Sequence, residues 1–124
     1  MRILDDHSVV IVGGGSGLGR GVARRCLEEG AQLTVIEISP EKVQSLESEF
    51  GEKALLLQGD CTRLPDLARC RDEVARKFGK VDALICFQGI WDGNIPIRNI
   101  PAEKLDRLFD EVFGINVKGS LLAA

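Results

Sequence analysis

The chain has 124 residues, of which 44% are apolar and 28% charged, a composition typical of one globular domain. Its formal net charge is −3 and the charges are interspersed, which argues against a nucleic acid or an anionic membrane as partner. There is no tyrosine and the only histidine is His7. The lack of tyrosine excludes a phenolic acid or base, unless another chain supplies it. The single histidine excludes a metal site with two histidine ligands.

Four cysteines occur at positions 26, 61, 70 and 86, and none belongs to a C-x-x-C pair. A zinc cluster or a dithiol redox site is therefore unsupported, and we predict no metal site. Scattered cysteines fit a reducing compartment. No segment reaches the ~20 apolar residues of a membrane span, and the first residues do not resemble a signal peptide. We expect a cytoplasmic protein.

The first strand is predicted at Val9–Val12, a β-branched run typical of a parallel strand that is buried on both faces. A glycine-rich segment, Gly13–Gly19, interrupts it, and an amphipathic helix follows to about Glu29. Gly30 is expected to end this helix. The predicted inner face of the helix carries Leu18, Val22, Cys26 and Leu27.

A second strand, Leu33–Ile36, is predicted to end at Glu37. The sequence Ser39-Pro40-Glu41 then predicts a helix start, with a capping hydroxyl, a proline at the first position and an acid in the first turn. The inner face of this second helix is predicted to carry Val43, Leu46 and Phe50.

A third strand is predicted at Ala54–Leu57, and the third helix ends at Gly79. A fourth strand, Ala83–Cys86, precedes an irregular segment and a last helix that Pro101 opens. The third helix is lined by Leu64, Leu67, Ala68, Val74, Ala75 and Phe78, and the last carries a stripe of Leu105, Leu108, Phe109, Val112, Phe113 and Val117.

This alternation of strands and helices predicts the α/β class, with a Rossmann-type doubly wound parallel sheet of about four strands in the order 3-2-1-4. A complete doubly wound dinucleotide fold has about six strands. We therefore interpret residues 1–124 as the amino-terminal, cofactor-binding portion of a larger enzyme whose catalytic half is absent. A compact four-stranded domain is the alternative.

The glycine-rich segment lies between a predicted strand and a predicted helix, where glycine motifs bind phosphates. Without Cβ atoms the main chain can approach a diphosphate, whose charge faces free N–H groups and the helix dipole. One spacing, Gly13-x-Gly15-x-x-Leu18, departs from the common G-x-G-x-x-G, whereas Gly13-x-x-x-Gly17-x-Gly19 is complete. A turn without a ligand is the alternative. The candidate phosphate-binding residues are Gly13, Gly15, Ser16, Gly17, Leu18 and Gly19.

Glu37 follows Gly13 by 24 positions, near the spacing of the carboxylate that binds the adenosine ribose hydroxyls in dinucleotide-binding folds. The same carboxylate would repel a 2′-phosphate, and no nearby arginine is available to hold one. The sequence therefore predicts NAD rather than NADP as cofactor. The alternative is a solvated acid at the end of a strand.

These features resemble the short-chain dehydrogenase/reductase family over the whole chain. The resemblance rests on the Gly13/Gly17/Gly19 spacing, on Asp60 in a Gly-Asp-Cys-Thr stretch, and on Ile115-Asn116-Val117-Lys118-Gly119. The segment from Lys80 to Gly119, with its Gly-Ile-Trp-Asp motif at 89–92, is similar to the bacterial aromatic cis-dihydrodiol dehydrogenases. That resemblance implies oxidation of an aromatic cis-dihydrodiol to a catechol, with hydride passing to NAD.

The resemblance also implies roles for single residues. Asp60 would accept a hydrogen bond from the adenine amino group, and Cys61 would contribute its backbone; an exposed loop acid is the alternative. Asn116 is predicted to point inward, and a buried amide without partners costs roughly 1–3 kcal/mol. The family assigns this asparagine to catalysis, as the residue that kinks the helix and holds a relay water; a structural amide is the rival. Trp91 borders the substrate region or caps the core.

Three departures from the family pattern stand out. Val12 replaces a threonine or serine. Cys86-Phe87-Gln88-Gly89 replaces Asn-Asn-Ala-Gly, so that only Gly89 matches, and Gln88 places a long side chain where alanine lets the cofactor lie close. The family's catalytic serine and Tyr-x-x-x-Lys motif should come later than residue 124. We therefore expect residues 1–124 alone to have no dehydrogenase activity.

Two other functions remain open from the sequence. One is a non-catalytic nucleotide-binding or interaction module, and the other is a methyltransferase-like Rossmann domain, which the glycine spacing disfavours. An exposed sheet edge and an exposed apolar stripe predict self-association. The resemblance implies a homo-oligomer for a full-length protein.

Overall fold

The computed structural model describes residues 2–124. One parallel sheet has the strand order β3-β2-β1-β4, which confirms the predicted architecture. The strands are β1 (Ser8–Val12), β2 (Gln32–Glu37), β3 (Ala54–Gln58) and β4 (Ala83–Cys86). The helices are α1 (Gly17–Glu28), α2 (Pro40–Phe50), α3 (Leu64–Phe78), α4 (Ala102–Phe113) and α5 (Gly119–Ala123), with a π-helical turn (Gly114–Lys118) and two short 3₁₀ turns (Gly51–Lys53 and Ile97–Asn99).

Strand β1 lies inside the sheet and is buried at all five positions. Its side chains alternate between two cores, one on each face of the sheet, as a strand of period two requires. The first core centres on Ile11 and contains Val9, Ala23, Cys26, Leu33, Val35, Leu46 and Phe50. The second contains Val10, Val12, Ile36, Cys61, Cys70 and Val74.

The strand register brings the carboxyl ends of the strands to one edge of the sheet. Val12 pairs with Ile36 of β2 and with Cys86 of β4, and Ile36 pairs with Leu57 of β3. The loops that follow the strands therefore emerge side by side, and this is the edge at which parallel sheets bind ligands.

Helix α2 begins as its sequence predicts. The Ser39 hydroxyl accepts a hydrogen bond from the Lys42 backbone N–H at 3.3 Å, and Pro40 and Glu41 occupy the first turn. These contacts satisfy orphan donors at the helix start. The prediction that Gly30 ends α1 is also confirmed, because Gly30 adopts a left-handed φ of 89° directly after the helix.

For several residues, the prediction that they lie on the buried face of a helix is wrong. Leu18 is 80% exposed, because α1 begins at Gly17 and its buried stripe is Gly19, Ala23 and Cys26, one position out of phase with Leu18. Ala75 is exposed, since α3 turns Cys70 and Val74 inward instead. Leu64 is exposed beside an open apolar cavity of 450 Å³.

Helix α4 is amphipathic, as predicted, but no residue of it is buried. Phe109 and Phe113 stack on each other with ring centroids 4.3 Å apart, and both remain about half exposed. The periodicity identified an apolar stripe correctly, but it carried no information about which element covers that stripe. Among residues 2–124, no helix is long and apolar enough to cross a membrane.

Two leucine truncations test this description of the core. Leu46→Ala should lower the free energy of unfolding by about 2–5 kcal/mol, because Leu46 is fully buried and leaves a cavity. Leu64→Ala, a matched control at a position that is 60% exposed, should change it by less than about 1 kcal/mol. Urea unfolding followed by circular dichroism gives both values, and equal losses would contradict the burial pattern.

Candidate functional site

A groove of 370 Å³ lies at the carboxyl edge of the sheet, where the loops after β1, β2, β3 and β4 meet. We call it the edge groove. Its walls combine backbone of the glycine-rich segment with polar and apolar side chains from three other loops, from the start of α2 and from the π-helical turn. They include Gly13, Ser16, Glu37, Lys42, Asp60, Cys61, Gln88, Gly89, Ile90 and Ile115.

The glycine-rich segment is packed tightly against the ends of the neighbouring strands. The Gly13 N–H donates to the carbonyl oxygen of Ile36 at 2.8 Å. A Cβ on Gly13 would lie 2.5 Å from the backbone nitrogen of Gln88, and a Cβ on Gly19 would collide with the carbonyl oxygen of Gly13. These contacts explain glycine at both positions by backbone approach.

Gly17 requires a different explanation. Its φ is +55°, a left-handed conformation that side chains rarely adopt, yet a Cβ there would have no neighbour within 4 Å. The space beside Gly17 is therefore open, and it lies at the first residue of α1. An open cradle at a helix N-terminus is where backbone N–H groups can receive an anion.

The N-terminus of α1 also differs from that of α2. Ser16 occupies the capping position of α1, but its side chain makes no capping hydrogen bond, and the first turn contains no acidic residue. The first N–H groups of an α-helix have no partner within the helix itself. The start of α1 therefore presents N–H groups that no acidic residue of its own first turn neutralises.

Glu37 is only 6% exposed, and both of its carboxylate oxygens are held by backbone N–H groups. Oε2 accepts from Gly15 at 2.9 Å, and Oε1 accepts from Ser39 at 3.2 Å. A carboxylate has about four acceptor positions, so Glu37 can accept further bonds from the groove that it lines. The alternative of a solvated acid at this strand end does not hold, because the side chain is buried.

Arg20 holds the glycine-rich segment from the side opposite Glu37. Its Nη1 donates to the Gly15 carbonyl oxygen at 3.3 Å and to the Ser45 hydroxyl at 2.9 Å. Its Nε pairs with Glu49 Oε2 at 2.6 Å, and the hydrogen bonds from Arg20 and Arg24 lower the pKa of Glu49. The guanidinium thus ties α1, α2 and the segment together.

Asp60 and Cys61 form the groove wall after β3. Asp60 Oδ1 accepts from the Thr62 backbone N–H at 2.9 Å and from the Thr62 hydroxyl at 2.7 Å, which fixes the carboxylate. Cys61 is buried, and burial, with a smaller effect of the Asp60 charge, raises the pKa of its thiol. The thiol is therefore protonated at neutral pH and is a poor nucleophile.

Phe87 and Gln88, the residues that depart from the family pattern, leave β4 toward opposite faces of the sheet. Phe87 packs against the core that contains Ile11, and its N–H donates to the Val12 carbonyl oxygen at 2.7 Å. Gln88 lines the groove, but its Nε2 donates to the Ser120 hydroxyl at 2.8 Å. Its Oε1 is buried without a partner among residues 2–124.

Asn116 lies in the π-helical turn between α4 and α5, where the Gly119 N–H donates to Gly114, five residues earlier. Its Oδ1 accepts from the Ile90 N–H at 2.7 Å, and its Nδ2 donates to the Ile90 carbonyl oxygen at 2.8 Å. Asn116 is half-buried rather than buried, because the π turn breaks the helical stripe from which burial was predicted. The amide thus ties the helix to the segment after β4.

The predicted site residues divide into those that line the edge groove and those that lie outside its lining. Leu18 points into solvent, and Trp91, which is 72% exposed, does not cap the core. Sequence reasoning did not select Lys42, which belongs to no motif, or Ile90 and Ile115, which lie in family-like motifs but were given no role. Six predicted residues line the edge groove, namely Gly13, Ser16, Glu37, Asp60, Cys61 and Gly89. The remainder lie outside its lining: Gly15, Gly17, Leu18, Gly19 and Asn116.

Within residues 2–124, no group of three or more histidine, cysteine, aspartate or glutamate side chains is placed to hold a metal ion. The polar chemistry of the edge groove therefore comes from carboxylates, amides, one lysine and backbone N–H groups.

Comparison with known proteins identifies the family. A sequence model described as short chain dehydrogenase matches residues 7–124. The chain belongs to the short-chain dehydrogenase family. Two relatives from Escherichia coli, strains K12 / DH10B and O7:K1 (IAI39 / ExPEC), are each named 3-phenylpropionate-dihydrodiol/cinnamic acid-dihydrodiol dehydrogenase. Each is 44% identical over 124 residues, which are 100% of this chain and 46% of the relative.

A solved structure agrees with this assignment. The 3-ketoacyl-(acyl-carrier-protein) reductase from Brucella melitensis, complexed with NADH, superposes with a TM-score of 0.81 and 28% identity. The match covers 96% of this chain and 48% of the reductase. This short-chain dehydrogenase chain therefore spans about half the length of the relatives that it matches.

The contact between Gly15 and Glu37 predicts opposite outcomes for two glycine-to-alanine changes. A Cβ at Gly15 would lie 2.5 Å from the buried Glu37 Oε2, so Gly15→Ala should destabilise the protein by about 1–3 kcal/mol. Gly21, inside α1, has open space around it, so Gly21→Ala should stabilise by about 0.5–1 kcal/mol. Thermal and urea unfolding measure both; stabilisation by Gly15→Ala would refute the contact.

Proposed function

We propose that this chain is the NAD-binding portion of a short-chain dehydrogenase which, as a whole protein, oxidises an aromatic cis-dihydrodiol to a catechol. The observation that carries the proposal is the buried Glu37 carboxylate, which lines the edge groove and is hydrogen-bonded to the glycine-rich segment. A ribose site at Glu37 and a phosphate site at the glycine-rich segment would then be adjacent, as a dinucleotide requires.

The diphosphate would lie at the start of α1. The open cradle beside Gly17 and the uncapped N-terminus at Ser16 fit an anionic group there. Gly13, Gly15, Leu18 and Gly19 would act through the main chain that they shape, since none of their side chains could bind a phosphate.

Glu37 would accept hydrogen bonds from the adenosine ribose hydroxyls. Its burial makes the carboxylate a fixed charge, and a 2′-phosphate placed beside it would be repelled. This is why we propose NAD and not NADP as the preferred cofactor. Asp60 and Cys61 would contact the adenine from the loop after β3, with Asp60 oriented by Thr62.

The nicotinamide ring, when bound, accepts a hydride from the substrate carbon that carries the hydroxyl group. Gly89 would allow the nicotinamide half of the cofactor to approach the main chain closely. We assign Asn116 a place in the catalytic apparatus through the Ile90 backbone, which its amide holds by two hydrogen bonds. The amide therefore positions the groove wall.

The substrate class is supported by the 44% identity to the two dihydrodiol dehydrogenases. Exposed apolar side chains follow Gly89 in the loop after β4, among them Ile90, Trp91 and Ile95, and they provide a surface of the kind that an aromatic substrate requires. The half-exposed stripe of α4 supports a homo-oligomer for the whole protein.

Binding of NADH by this chain is the direct test. Trp91 is the only tryptophan, so energy transfer from its indole to the reduced nicotinamide reports binding. We expect saturable quenching that NAD reverses and S-adenosylmethionine does not; competition by S-adenosylmethionine would favour the methyltransferase-like alternative. Gly17→Ala should weaken binding at least about tenfold, or ~1.4 kcal/mol. Gly21→Ala is the matched control, and a folded protein that binds no NADH would refute the proposal.

The 124 residues contain no tyrosine. The family's proton acceptor is a tyrosine, so we expect no turnover from these 124 residues with NAD and a 3-phenylpropionate cis-dihydrodiol. NADH absorbance is the readout, with a full-length Escherichia coli relative as positive control. Product above background would contradict the assignment of the chemistry to residues outside this sequence.

A further inference from the structure

Lys42, which no sequence motif singled out, lies beside Glu37 in the edge groove. It belongs to the first turn of α2, where its backbone N–H donates to the Ser39 hydroxyl at 3.3 Å. Its Cβ lies 2.8 Å from the point that a Cβ on Gly15 would occupy. The stem of Lys42 therefore rises next to the Gly15–Glu37 contact, and the residue lines the groove together with both Glu37 and Ser16.

The Lys42 ammonium group is not neutralised by the chain itself. Within residues 2–124 it forms no salt bridge, and the side chain is exposed. Arg20, the nearest cation on α1, is occupied by Glu49, Ser45 and the Gly15 carbonyl oxygen. Lys42 is thus an unpaired positive charge within the described residues that faces this end of the groove.

Glu37 and Lys42 act on a ligand with opposite signs and from different surroundings. The Glu37 carboxylate is buried and held by two backbone N–H groups, so it cannot turn away from an approaching anion. Lys42 is flexible and can follow a phosphate over several ångströms. A 2′-phosphate on the adenosine ribose would therefore be repelled by the fixed Glu37 carboxylate and attracted by the Lys42 ammonium group.

We propose that Lys42 is a specificity-determining residue, which lets the site hold a 2′-phosphorylated dinucleotide weakly instead of rejecting it. The proposal rests on the dinucleotide function inferred above. The preference for NAD then reflects two opposed charges, the repulsion of a 2′-phosphate by Glu37 and its weaker attraction by Lys42. Removal of the Glu37 charge should then reverse the preference in a single step.

The first test uses an exposed residue whose change leaves the fold intact. Dissociation constants for NADH and NADPH are measured for the wild-type chain and Lys42→Met. We expect NADPH binding to weaken roughly five- to tenfold and NADH binding to change less than about twofold. Lys53→Met, at an exposed site beyond the far end of α2, is the matched control and should change neither.

A second arm removes the repulsion. Glu37→Ala should bind NADPH more tightly than NADH, and the double variant Glu37→Ala with Lys42→Met should lose that gain. Circular dichroism establishes that Glu37→Ala is folded, since the change leaves the N–H groups of Gly15 and Ser39 without their acceptor. If Glu37→Ala is not folded, the comparison of wild type with Lys42→Met tests the proposal by itself.

Four results would overturn the proposal. Equal weakening of NADH and NADPH by Lys42→Met would mean that the lysine binds the shared diphosphate, and no change in either would mean that it binds neither. Loss of NADPH binding in Arg63→Met but not in Lys42→Met would assign the phosphate to the adjoining cavity that Arg63 lines. A folded wild-type chain that binds neither dinucleotide would refute the proposed function as well, so the two failures are distinguishable.

Discussion

The hydrogen bond from the Gly15 N–H to the Glu37 carboxylate is the contact on which the rest of the edge groove depends. A buried carboxylate is costly unless it is hydrogen-bonded, and here the glycine-rich segment and the start of α2 supply the donors. The same contact demands glycine at position 15. It joins the loop after β1 to the end of β2, and Arg20 holds the same residue from its carbonyl side.

This contact forms because the sheet is parallel. The register aligns Val12, Ile36 and Cys86, so that three loops leave the sheet at the same level. In such an arrangement the strands provide rigidity and the loops provide chemistry. The Glu37 carboxylate and the glycine-rich turn both reach the groove from that edge, and Asn116 holds the backbone of Ile90 in the groove wall.

The substitutions after β4 show how the fold absorbs departures from its family's pattern. Phe87 faces the core that α1 and α2 cover, where an aromatic ring adds apolar contact. Gln88 faces the other side and donates to Ser120, whose hydroxyl in turn donates to the main-chain carbonyl of Asn116. The long Gln88 amide lines the groove and is held by the helix that follows the π turn.

Sequence alone determined the glycine-rich segment, the α2 cap at Ser39 and the position of Glu37, because each is encoded in a run of neighbouring residues. The strand order followed from the alternation of strands and helices along the whole chain. Tertiary structure decided what depends on distant partners. The Arg20–Glu49 pair spans 29 positions and Asn116 bonds Ile90 across 26, and neither spacing has a local signature. From the sequence, Lys42 could not be distinguished from other surface lysines, and Leu18 was predicted in the core. The residue at which each helix begins decided the direction of both side chains.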